Sequence, residues 1–185
     1  MINELSKIVE DACKNEKNFF GYGIWSHHIL LVVKYARLLA QKFCADEDIL
    51  EVAALLHDYA SIKDYKMYED HHIHGAEEAE KILKRFNYPT QKIEQVKQCI
   101  ISHRGSKVLQ KQTKEAIFLA DADAMSHFDS IPALFNFAFQ RRKMNIDEAS
   151  SWVLGKLERS WNKLSPVAQE IVKDKYEASK LLLNS

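Results

Sequence analysis

All eight histidines lie between residues 27 and 127 of a chain of 185 residues. The first 26 and the last 58 residues contain none. Imidazole nitrogens and carboxylate oxygens are donors that suit divalent metals such as Mn, Fe, Co, Ni and Zn. The clustering of the histidines therefore indicates a shared metal site. The eight are His27, His28, His57, His71, His72, His74, His103 and His127.

Several potential ligands stand where apolar, helix-forming segments begin or end. His28 opens one such segment, and the pair His57-Asp58 directly follows the residues AALL at 53–56. Ligands that converge from separate helices on the core of a bundle are a common design for metal sites in helical proteins. Other candidates at segment ends are His71, His72, His74, His103, Asp121 and Asp123.

The segments WSHHI (25–29), ALLHD (54–58) and LADAD (119–123) resemble the HD-domain superfamily of metal-dependent phosphohydrolases. The resemblance covers about residues 24–130. It implies that a His, a His-Asp pair and a distal Asp hold a divalent metal in a helical bundle. Residues 123–126 (DAMS) fit the family's spacing after the distal Asp, which favours Asp123 over the alternative, Asp121. The implied ligands are His28, His57, Asp58 and Asp123.

Some branches of the family hold two metals, with one more His before a helix containing Gly-Ala and another before the distal Asp. The segments HHIHGA (71–76) and ISH (101–103) stand at those places. The resemblance therefore implies His71 and His103 as additional ligands. The expected cofactor is one or two divalent ions (Mn, Fe, Ni, Co, Zn or Mg), with no other cofactor.

The activity that the resemblance implies is hydrolysis of a phosphate ester or anhydride by water that the metal activates. Asp58 or a histidine of the 71–74 group would accept the proton of that water, and His71 and His103 are expected to be catalytic. Many relatives have a glycine and a lysine where this chain has YAS at 59–61. Lys63, with Lys66 as an alternative, and Arg104 are therefore the candidates for binding phosphate oxygens.

The expected substrate is a small phosphorylated molecule, a nucleotide by preference. The chain carries neither the extension typical of cyclic-dinucleotide hydrolases nor the synthetase domain of alarmone enzymes. Two other classes remain open. One is a di-iron oxygenase of a small polyol or phosphonate, since some proteins of this fold use the same ligand types. The other is a binding module that has kept the fold without the chemistry.

Apolar residues recur at intervals of three and four along most of the chain, which predicts amphipathic helices. The fold class is therefore all-α, a single globular bundle of about eight or nine helices. Residues 1–185 form one domain, with the metal-site core at about 24–130 and C-terminal helices 130–183 packed on it. The polar, aperiodic residues 59–70 predict a loop or a short irregular turn, and residues 104–106 (RGS) predict a helix break. The predicted stripes span 5–12, 29–43, 49–56, 76–86, 90–103, 113–125, 130–143, 147–164 and 166–183.

The composition and the apolar pattern indicate which partners and which location to expect. Lys+Arg and Asp+Glu both number 26, so no basic excess favours nucleic acid as a partner. The most apolar stretch, residues 29–40, is too short to span a bilayer. Three separated cysteines predict a reducing, cytoplasmic location without disulfides. A homodimer through residues 130–183 is compatible with each function considered.

Overall fold

The computed structural model describes residues 1–104 and 112–183. Within these residues there are ten α-helices and no strand, and nine of the helices have ten residues or more. The all-α class and the expected number of helices are therefore confirmed. The helices are α1 (Ile2–Lys14), α2 (Leu30–Phe43), α3 (Glu47–Leu56), α4 (Tyr59–Lys63), α5 (His71–Arg85), α6 (Thr90–Ser102), α7 (Lys114–Asp129), α8 (Ile131–Gln140), α9 (Ile146–Lys163) and α10 (Pro166–Leu183).

Side-chain caps set the starts of three helices by accepting bonds from otherwise unpaired backbone N–H groups. The side chain of Asp46 accepts from the Ile49 backbone N–H, as the sequence predicts for the start of α3. Thr113 caps α7 in the same way. A capping box between Asn145 and Glu148 begins α9. These caps fix the register in which each helix presents its polar residues to the interior.

The central element is α7, which packs against α2, α3, α6, α9 and α10. Residues around almost the whole circumference of this helix are buried, including the polar Asp121, Ser126 and His127. Buried polar groups are costly without partners. The neighbouring helices must therefore supply hydrogen bonds and charges to α7, and they do so at the site described below.

The segment 59–70 is more regular than the loop or short irregular turn that the sequence predicts. It forms the short helix α4 and a 3-10 helix at Tyr65–Asp70. Ala60, Ser61 and Ile62 are buried where α4 packs against α1 and α5. Five residues are too few to display a 3.6-residue period, so burial rather than pattern determines this helix. A π-helical turn at Trp25–Ile29 leads directly into α2.

The predicted break at residues 104–106 falls mostly outside the described residues, since Gly105 and Ser106 lie there. The helix before it, α6, ends at Ser102. Among the described residues, none of the helices combines the length and apolar character needed to cross a membrane.

Candidate metal centre

Six of the predicted site residues converge from five elements of the fold. The π-helical turn supplies His28, the end of α3 supplies His57, and Asp58 directly precedes α4. The other three come from the start of α5, the end of α6 and the middle of α7. These three are His71, His103 and Asp123.

The first group of donors surrounds His28. Its Nε2 atom lies 3.1 Å from His57 Nε2 and 3.2 Å from Asp58 Oδ2. The Asp123 Oδ1 atom is 3.7 Å from the same nitrogen. Four nitrogen and oxygen donors thus face one another at distances that a shared cation would explain.

The second group lies on the other side of Asp58. The Oδ1 atom of Asp58 is 3.5 Å from His71 Nε2, which is 3.2 Å from His103 Nε2. One oxygen of Asp58 therefore faces the first group and the other faces the second. The carboxylate of Asp58 therefore belongs to both groups of potential metal ligands.

Backbone carbonyls orient three of the imidazoles. His57 Nδ1 lies 2.8 Å from the Ala54 oxygen, and His71 Nδ1 lies 2.7 Å from the Tyr68 oxygen. His103 Nδ1 lies 2.5 Å from the oxygen of Ile100. A carbonyl can only accept, so each Nδ1 carries the hydrogen and each Nε2 presents a lone pair to the centre. That is the tautomer a metal-binding histidine needs.

Ser126 orients the fourth imidazole. Its hydroxyl donates to the Asp123 backbone oxygen at 2.7 Å, so the hydroxyl oxygen is left to accept. His28 Nδ1, at 3.1 Å from the Ser126 oxygen, is therefore the donor in that contact. The lone pair of His28 Nε2 then faces the same centre as the other three.

The charges of these groups are those that metal binding requires. Burial tends to raise the pKa of Asp58, but the histidines beside it hold that pKa well below its usual value. Burial lowers the pKa of His57, and it lowers the pKa of His103 to about 3. The centre therefore combines an ionised Asp58 with neutral imidazoles at His57 and His103, and its residues fit a divalent metal.

The two candidate aspartates of α7 have different surroundings. Asp123 accepts a bond from Lys163 Nζ at 2.6 Å through Oδ2, while its Oδ1 faces His28. Asp121 instead accepts from the backbone N–H and the hydroxyl of Ser165, at 2.9 and 2.5 Å. The structure thus brings Asp123 to the donor cluster and places Asp121 at the start of α10.

Sequence reasoning missed four residues near the centre, which are Ser126, Lys163, Ser160 and Lys156. Ser126 and Lys163 hold His28 and Asp123, and Ser160 Oγ lies 2.9 Å from His127 Nδ1. The ring of His127 stacks on His28, with centroids 5.6 Å apart, and one His127 nitrogen lies within 4.8 Å of donors from His28 and Asp123. The fourth is Lys156. Three of the four follow the i, i+4, i+7 spacing of one face of α9, a signal present in the sequence at 156, 160 and 163.

The two predicted phosphate contacts are engaged elsewhere in the fold. Lys63 Nζ lies 2.6 Å from Glu78 Oε2, and 48% of the Lys63 side chain is exposed. Arg104 follows His103 in the chain, and its Nη2 lies 3.3 Å from Glu69 Oε2.

Residues 25–127 match the model of the HD domain family, which is more than half of the chain. The chain therefore belongs to the HD domain family, as its resemblance to that family predicts. The matched residues include the six donors and end before α8.

Solved structures share the fold over nearly the whole chain. Bacillus subtilis YpgQ, in complex with ADP, is 22% identical with a TM-score of 0.70, covering 96% of this chain and 91% of that one. An HD-superfamily hydrolase from Bacillus thuringiensis is 17% identical with a TM-score of 0.72, covering 99% and 93%. A predicted HD-superfamily hydrolase from an uncultured Thermotogales bacterium is 21% identical with a TM-score of 0.60, covering 95% and 91%. A comparison with curated proteins found no match.

Proposed function

We propose that the protein is a metal-dependent phosphohydrolase that cleaves a phosphate ester or anhydride of a small molecule. The observation that carries the proposal is the position of Asp58, whose two oxygens face two separate groups of imidazoles. A bridging carboxylate between nitrogen donors is a design for holding two cations side by side. We also propose that residues 1–185 act as one HD-type domain, because α9 supplies Lys163 to the site.

His28, His57, Asp58 and Asp123 would hold the first ion, and Asp58, His71 and His103 the second. Such ions, when bound, activate water as a nucleophile and neutralise charge on phosphoryl oxygens. Mn, Fe, Co, Ni, Zn and Mg are the candidate metals, of which the borderline ions suit the mixture of imidazole and carboxylate best.

The side chains and carbonyls around the two donor groups fix the orientation of the candidate ligands. The carbonyl-bound imidazoles cannot turn away from the centre, since each Nδ1–H is already paired. Lys163 holds one oxygen of Asp123, which leaves the other directed at His28. Asp58 lies between both groups, and Asp58 or a histidine of the 71–74 group would accept a proton from an attacking water.

A nucleotide is the substrate that we propose to test first. One support is that YpgQ, which shares the fold over 96% of this chain, was crystallised with ADP. At 22% identity this similarity concerns the fold, and the choice of a nucleotide rests on analogy.

The test is a panel of nucleoside mono-, di- and triphosphates and of simple phosphate esters. The protein would be freed of metal, reloaded separately with each candidate ion, and assayed for phosphate and pyrophosphate. Asp58→Asn keeps the shape of the side chain and should abolish release. His74→Gln is the matched control, because the His74 side chain is 43% exposed and pairs with Glu77.

An oxygen electrode should be run on the iron-loaded protein with polyols and phosphonates. Oxygen consumption without phosphate release would replace our proposal with the oxygenase. Metal binding without turnover of any compound in either assay would favour a binding module.

A further inference from the structure

One face of α9 is held against the metal centre at two points. Ser160 Oγ lies 2.9 Å from His127 Nδ1, and Lys163 Nζ lies 2.6 Å from Asp123 Oδ2. Lys156 precedes Ser160 by four residues and Lys163 by seven, so all three lie on the same side of the helix. The register that fixes Ser160 and Lys163 therefore places Lys156 on the face of α9 that packs against α7, about one turn before Ser160.

Lys156 is half-buried, and among the described residues it has no hydrogen bond and no ion pair. Burial lowers the pKa of this ammonium, and the charges that act against burial are those of Asp123 and Asp58. Both are candidate metal ligands.

Three other lysines of the protein pair with carboxylates. Lys163 pairs with Asp123, Lys175 with Asp129 and Lys63 with Glu78. An ammonium that is partly removed from water and has no partner is costly, so a lysine kept in that position indicates an anion that arrives from outside the protein. Next to a centre for divalent ions, a phosphoryl group is the anion that interacts with both metal and lysine.

We infer that Lys156 binds a phosphoryl oxygen of the substrate beside the first donor group, in the role that the sequence assigned to Lys63 or Arg104. The inference rests on the proposed function. A lysine ammonium is a compact charge with three rotatable donors, which suits a tetrahedral anion without demanding one orientation. Lys163 differs from Lys156 because it is occupied by Asp123 and acts through that carboxylate as a positioning residue.

The experiment compares Lys156→Met, Lys156→Arg and Lys173→Met in zinc-loaded protein. Lys173 is an exposed residue of α10, so Lys173→Met is a control with the same change of charge. Titration calorimetry with inorganic phosphate and with ADP should show affinity weakened about 10- to 100-fold in Lys156→Met, the range for a bond to a charged group. Lys156→Arg should recover most of the affinity, and the control should match wild type. Elemental mass spectrometry should find the same zinc content in all four proteins.

A second readout follows Lys156 directly. Reductive methylation with a carbon-13 label gives each lysine an NMR signal, and the Lys156 signal is the one absent from Lys156→Met. Phosphate should shift that signal and leave the Lys173 signal in place. An unmoved Lys156 signal, or wild-type phosphate affinity in Lys156→Met, would overturn the inference.

These outcomes separate the inference from the proposed function. If wild type releases phosphate from its substrate while Lys156→Met binds phosphate normally, the role of Lys156 is wrong and the hydrolase stands. If wild type binds phosphate through Lys156 but hydrolyses no compound of the panel, the anion site stands and the hydrolase is wrong. If wild type neither binds nor releases phosphate, both are wrong.

Discussion

Lys163 Nζ donates to Asp123 Oδ2 at 2.6 Å, which joins α9 to a candidate metal ligand of α7. Lys163 lies outside residues 25–127, the part of the chain that matches the HD domain family. The bond occupies one carboxylate oxygen and leaves Oδ1 facing His28. The C-terminal helices therefore take part in shaping the site and do more than cover the core.

Replacing Lys163 tests this positioning role. Lys163→Met should weaken binding of the first ion by about 10- to 100-fold, the usual effect of removing a group that orients a ligand. Competition with a chelator of known affinity would measure the change. Lys163→Arg should restore much of the affinity, since it can still donate to Asp123, and Lys173→Met should have no effect. Unchanged metal affinity in Lys163→Met would show that Asp123 needs no help from α9.

The two aspartates of α7 should separate into different roles. Asp123→Asn should lose metal, because an amide is a weaker donor than a carboxylate. Asp121→Asn should keep its metal but lower the free energy of unfolding by about 1–3 kcal/mol, since it weakens buried bonds to Ser165 at the start of α10. Elemental analysis and urea denaturation on both variants would decide. Loss of metal in Asp121→Asn with retention in Asp123→Asn would reverse the assignment.

Much of the fold and the donor set could be predicted from the sequence. Long apolar stripes determined most of the helices, because burial of one helix face follows directly from its spacing. The clustering of histidines, with the resemblance of ALLHD and LADAD to a known family, singled out the six residues that the structure brings together. The short helix α4 was missed, since five residues carry too little pattern.

The residues that surround the donors could not be predicted from the sequence in this way. Lys156 and Lys163 look like ordinary solvated residues of an amphipathic helix until packing places α9 against α7. Ser126 acts through a single hydrogen bond to His28, which no spacing rule reveals. The spacing of α9 places Ser160 on the same face as Lys156 and Lys163, but it does not show which imidazole Ser160 contacts. Lys63 follows the His-Asp pair in the chain, and its ion pair with Glu78 is a contact that no pattern in the sequence indicates.

Asp58 lies between the two donor groups, so substitutions in one group and at Asp58 should affect the binding of the two ions unequally. His103→Ala removes a donor of the second group alone, so it should leave about one metal equivalent where wild type holds about two. Asp58 faces both groups, so Asp58→Asn should weaken the binding of both ions. Elemental mass spectrometry across a metal titration would resolve the two cases. Wild-type protein that never exceeds one equivalent would leave His71 and His103 as contacts to substrate.

The buried imidazoles of His57, His103 and His127 predict how the free energy of unfolding of the metal-free protein depends on pH. Burial holds the pKa of His103 at about 3 and lowers the pKa values of His57 and His127, whereas histidines of an unfolded chain titrate near 6.5. The unfolded state therefore binds more protons below pH 6.5. The free energy of unfolding should fall as the pH drops from about 6.5, by about 1.4 kcal/mol per pH unit for each such histidine, and the contribution of His103 should end near pH 3.

Urea denaturation of chelator-treated protein at pH 7, 6 and 5 measures this loss. Over that range the aspartates contribute little, because their ordinary pKa values lie near 4. His103→Gln removes one buried imidazole, so the free energy of unfolding of this variant should fall less steeply as the pH drops. The slope should be smaller than that of wild type by the contribution of one bound proton, about 1.4 kcal/mol per pH unit. His74→Gln, at an exposed position, should keep the slope of wild type. Equal slopes in His103→Gln and wild type would mean that His103 is not held neutral by burial, and the centre would then have to lose a proton there before it could bind metal.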